Sequence, residues 1–109
     1  MIHLFTKADG KQTEGIGAVA QCQIHTYTLS KMLGVGFAST KFENLQHYQE
    51  YDTQENFSND VTNFFNFPNQ IEPPSDSVKF DRVDQTFLDF IEKNRNGDDI
   101  YVEISNKDL

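Results

Sequence analysis

The sequence predicts an α/β domain built on a small, mostly parallel sheet, and two observations lead there. Short apolar runs alternate with longer amphipathic stretches along the 109 residues, a pattern that favours layers over a helical bundle. The first third of the chain reads strand, glycine turn, helix, glycine stop, strand. That order is a βαβ unit, which normally means parallel pairing with a right-handed crossover.

Each element has its own warrant. Residues 2–6 read as a short strand, and residues 7–14 as a polar loop. Across residues 18–33 the positions Val19, Cys22, Thr26, Leu29 and Leu33 recur at steps of three and four, which marks an amphipathic helix. Gly34 suits a left-handed helix stop. Residues 35–40 read as the second strand, and residues 42–51, polar and aromatic without a period, as a loop with a helical turn.

A capping-box-like start at Asp52 and Glu55 precedes Phe57, Val61, Phe64 and Phe65 at helical spacing, and Pro68 closes that helix. Residues 69–77 hold Pro73 and Pro74 and form a connector. A short strand is expected at residues 78–80. Asp81 is the expected N-cap of a third helix bearing Val83, Phe87, Phe90 and Ile91 on one face, with a stop at Gly97. Residues 100–104 form the last strand. The sum is a small Rossmann-like half-domain of three or four mostly parallel strands and about three helices, a single domain over residues 1–109.

Composition narrows the function classes. The net charge is −8 and no Lys/Arg cluster exists, which argues against nucleic acid or an anionic membrane surface as partner. No apolar run approaches the ~20 residues of a membrane span, and the start lacks the charged region of a signal peptide. The chain reads as soluble and cytoplasmic. Its one cysteine, Cys22, leaves no internal disulfide and no cysteine-rich zinc site, and reads as a small buried hydrophobe. His3, His25 and His47 have no metal-site spacing, so no metal is expected.

Candidate binding residues cluster around the first helix. Gly15 and Gly17 flank one residue, so the backbone there turns tightly and approaches a ligand closely. A helix starting after such a turn aims unpaired N–H groups outward, toward an anionic or sugar-like group. His47 stands three residues after Asn44, in a loop expected near the carboxyl edge of the sheet, where open α/β sheets bind ligands. A histidine there would serve as base or hydrogen-bond partner to a sugar hydroxyl. The Phe57, Phe64, Phe65 and Phe67 set is explained by core packing, whereas Tyr48 and Tyr51 break that spacing.

Three spaced motifs then carry a resemblance. Gly15-Ile16-Gly17-Ala18 followed by helical glutamines, the run from Phe37 through Asn44 to His47, and Asn63-Phe64-Phe65-Asn66-Phe67 together resemble the N-terminal region of fucosyltransferase-like glycosyltransferases. The resemblance covers roughly residues 1–68. It implies a two-domain enzyme of the glycosyltransferase B type, moving a sugar from a nucleotide donor such as GDP-fucose to a carbohydrate acceptor. In that architecture the second domain holds the donor through an arginine-bearing motif. The only arginines, Arg82 and Arg95, stand in no such motif.

The resemblance therefore implies the acceptor-side half, which binds no cofactor itself and is inactive without a C-terminal partner domain. Gly15, Gly17, Gln21, His25, Asn44 and His47 are its expected substrate contacts. Two other readings stand beside it: a stand-alone glycan- or protein-binding module, and a protein that self-associates through an open sheet edge.

Overall fold

The computed structural model describes residues 1–7, 16–42 and 53–105. Seven elements follow one another: β1 (Ile2–Phe5), α1 (Ile16–Leu33), β2 (Gly36–Phe37), α2 (Gln54–Phe65), β3 (Val78–Phe80), α3 (Gln85–Asn94) and β4 (Ile100–Ile104). The strands form one sheet in the order β2-β1-β4-β3, and every pairing is parallel. The expected fold class, a small Rossmann-like half-domain, is the one observed. Among the described residues, no helix is long and apolar enough to cross a membrane.

Alternation along the two central strands builds the main core. Leu4 of β1 stands opposite Val102 of β4, and Ile2 opposite Ile100, so one sheet face carries Ile2, Leu4, Val102 and Ile104, all fully buried. Phe87 and Ile91 of α3 close over them, with Leu29 and Leu33 of α1 alongside. Both helices therefore cover the same face. A second cluster joins Val19 and Ala20 of α1 to Val61 of α2 and to Phe42, flanked by Phe57, Phe65 and Phe67. Phe42 and Phe65 stack there at 5.1 Å between ring centroids.

Helix α1 buries a different stripe from the one expected. Val19, Ala20, Gln23, Thr26 and Ser30 are its buried positions, whereas Cys22, Leu29 and Leu33 are half-buried. Thr26 and Ser30 satisfy their hydroxyls on the helix's own carbonyls, Cys22 O at 2.8 Å and Tyr27 O at 2.6 Å. Small hydroxyl residues thus line the inner surface without leaving an unmade hydrogen bond. The helix starts at Ile16, two residues earlier than its apolar pattern suggests, and ends as expected at Gly34, whose φ of +69° is left-handed.

The boundaries of later elements also differ from those the sequence predicts. The second strand is regular only at Gly36–Phe37: Ala38 N still donates to Leu4 O of β1 at 2.9 Å, and the pairing changes at Ser39. Ser39 N donates to Asn69 O at 3.1 Å, and Ile71 N donates to Ser39 O at 2.9 Å, so a later segment runs parallel to this one. Thr53, with extended backbone, caps α2 by accepting from Asn56 N at 3.1 Å, while Asp52 lies outside the described residues. That helix ends on Asn66 in the left-handed region at φ 49°, before Pro68 is reached. Asp84, not Asp81, caps α3: its carboxylate accepts from Phe87 N at 3.1 Å, and Asp81 sits in the bend after β3.

Candidate functional site

In a βαβ unit the helix runs back against its strands, so its N-terminus stands at their carboxyl edge. Here α1 opens at Ile16 after β1, one of the two central strands. Gly17 falls inside the first helical turn, exposed together with Ala18. Among the described residues, a Cβ built at Gly17 meets no atom within 4 Å. Gly15 lies outside the described residues.

The side chain that positions this edge is Gln23. It is 2% exposed, and both ends of its amide engage one residue of the segment after β2. Gln23 Nε2 donates to Thr40 O at 2.8 Å, and Thr40 N donates to Gln23 Oε1 at 3.2 Å. The Thr40 hydroxyl in turn donates to Thr6 O at 2.6 Å, at the end of β1. Helix, edge segment and central strand are thus tied in one buried chain of hydrogen bonds. Gln23 is not among the site residues expected from the sequence, although its spacing from Val19, Thr26 and Ser30 puts it on their helix face.

The expected contacts Gln21 and His25 are elsewhere. Both are exposed on α1, four residues apart on one outward face, away from the Gln23 clasp. Asn44 and His47 lie outside the described residues, as do Tyr48 and Tyr51. His3 is on β1, stacked at 4.8 Å on Tyr101 of β4 and 3.6 Å from Asp99. Among the described residues, no three His, Cys, Asp or Glu side chains gather as metal ligands.

Beside the clasp opens a cavity of about 270 Å³, lined by Gln23, Ile24, Tyr27, Phe37, Phe67 and Pro68. Its walls are apolar because the Gln23 amide is already occupied. Tyr27 meets Phe37 edge-on at 5.4 Å, and the Lys31 ammonium lies 5.3 Å from the Tyr27 ring centre. Ile24 and Tyr27 are exposed despite their size. Arg95, one of the two arginines, serves the fold. Its guanidinium donates to Leu33 O at the last turn of α1 and pairs with Glu92 at 3.2 Å.

Comparison of the chain with protein-family models, with curated proteins and with solved structures finds no match.

Proposed function

We propose that this chain is the acceptor-side portion of a sugar-nucleotide-dependent, fucosyltransferase-like glycosyltransferase, acting with a second domain that holds the donor. The observation that carries the reading is the open first turn of α1 at the carboxyl edge of a parallel sheet. Gly17 and Ala18 are exposed there, and the Gln23–Thr40 clasp holds the helix in place. Exposed helical N–H groups donate to sugar oxygens, and a rigid clasp keeps them aimed without an ordering cost on binding. In this reading the nucleotide, GDP-fucose or a similar donor, is bound by the other domain. Gly15, Asn44 and His47 complete the acceptor contacts.

Amide-resolved NMR titration of the 109-residue chain tests it. Lactose, maltose, chitobiose and mannobiose serve as acceptor probes, and GDP-fucose as donor probe. The expected result is that at least one disaccharide saturably shifts the amides of Gly17, Ala18 and Thr40, that GDP-fucose shifts none, and that no fucosyl transfer occurs. Indifference to all four sugars would sink the proposal. The apolar cavity at Tyr27 and Phe67 favours the second reading, a non-catalytic module that binds an apolar side chain of a protein partner.

A further inference from the structure

The sheet face opposite α1 and α3 holds a group of charges that the acceptor reading does not use. Glu103 of β4 stands beside Lys79 of β3 in register, and beside Phe5 of β1, two residues before Lys7. Alternation puts Lys7, Lys79 and Glu103 on one face. The Glu103 side chain is 10% exposed, whereas those of Lys7 and Lys79 are 51% and 58% exposed. Each carboxylate oxygen faces one ammonium: Oε1 is 4.0 Å from Lys7 Nζ and Oε2 is 3.8 Å from Lys79 Nζ.

Those separations matter. A charge-assisted hydrogen bond spans about 2.7–2.9 Å, so both lysines neutralise the carboxylate without hydrogen-bonding it. A desolvated carboxylate oxygen keeps a strong demand for a donor. The place is also the carboxyl end of the central pair β1 and β4, the edge where open parallel sheets take ligands.

The charge order selects the ligand. A phosphate would meet the carboxylate, and an amine would meet two ammonium groups. A hydroxyl both donates to a carboxylate oxygen and accepts from an ammonium. Two neighbouring hydroxyls of a sugar ring match two such oxygen–ammonium pairs.

We propose that Glu103, Lys7 and Lys79 form a binding site for the vicinal hydroxyls of a neutral, polyhydroxylated ligand. The site deepens the acceptor reading, on which it rests, by adding a second place of sugar contact on the other face of the sheet. Sugar hydroxyls reach it past the half-exposed lysine heads, and Glu103 fixes their orientation.

The same four disaccharides, with inorganic phosphate as an anion probe, test the site in the intact chain. The expected result is saturable shifts at the amides of Lys7, Lys79 and Glu103 with a sugar and none with phosphate. Glu103→Gln keeps the shape and removes the charge, and should weaken sugar affinity about tenfold, the worth of a hydrogen bond to a charged group. Lys79→Met keeps the apolar stem and should weaken affinity severalfold, which provides a second readout if Glu103→Gln does not fold. Sugars that shift Gly17, Ala18 and Thr40 but leave these three amides still would overturn this site and leave the acceptor reading standing. Sugars that shift nothing overturn both. Saturable phosphate binding, or unchanged sugar affinity in both variants, would likewise overturn it.

Discussion

A buried glutamine brings two donors and an acceptor that need partners, and Gln23 gives both ends of its amide to the backbone of Thr40. Gln23→Ala leaves a buried N–H and C=O without their partners, so it should cost about 2–3 kcal/mol in urea unfolding. Gln21→Ala, on the exposed face, should stay within about 0.5 kcal/mol. Asp99 offers a residue-scale test in pH. Its carboxyl is held below its ordinary value first by the hydrogen bond from the Met1 amine and then by that amine's charge, with a smaller contribution from His3. A depressed carboxyl contributes stability that is present above its unfolded value and is lost as pH falls through the folded one. The Asp99 carboxyl should therefore titrate in NMR below the ordinary aspartate value, and acetylating the Met1 amine should move its midpoint upward.

Helix ends show how one residue type is read by its backbone. Asp81 and Asp84 look alike as caps, yet it is Asp84, extended and directly ahead of the helix, whose carboxylate reaches Phe87 N. Asp84→Ala should cost about 1 kcal/mol of stability, and Asp81→Ala almost none, when the two are compared by thermal unfolding. Gly34 joins α1 to β2 at φ +69°, and Arg95 Nη1 would lie 3.5 Å from an added Cβ. The space is ordinary and the conformation is not, so Gly34→Ala should cost about 1 kcal/mol through the backbone alone. Gly36 is held by contact instead: a Cβ there would stand 2.9 Å from His3 Nδ1 and 3.1 Å from the Ile2 carbonyl oxygen. The start of α1 and the caps of α2 and α3 fall within three residues of where the sequence puts them. Their exact residues depend on φ and ψ, which composition does not carry.

At the scale of the molecule, the main core rests on a few large side chains that bridge α3 and the central strands. Phe87 is fully buried, packs edge-on against Phe80 at 5.3 Å, and belongs to the cluster of Ile2, Leu4, Val102 and Ile104. Phe87→Ala should cost about 3–5 kcal/mol. In a domain whose total stability is on the order of 5–15 kcal/mol, that change should move the urea midpoint sharply downward. The Met1 amine reaches Gly97 O at 3.1 Å and Asp99 at 3.0 Å, and Ile100 N donates to Met1 O, so the strand ends of β1 and β4 are fastened as well as paired. These contacts join parts of the chain almost its whole length apart.

Periodicity is a local signal, and it specifies what neighbours along the chain decide among themselves. The steps of three and four in residues 18–33 specify α1, the apolar run at residues 100–104 specifies β4, and the glycine after Leu33 specifies the helix stop. None of these signals holds information on which strand lies beside which. That β4 inserts between β1 and β3 was settled by burial of one continuous apolar face under α1 and α3. That arrangement brings Lys7, Lys79 and Glu103 together, and the return of the chain from α1 through β2 makes Gln23 the partner of Thr40. Gln23 reads as polar in any window of sequence. It is buried because the tertiary structure supplies a hydrogen bond to each end of its amide.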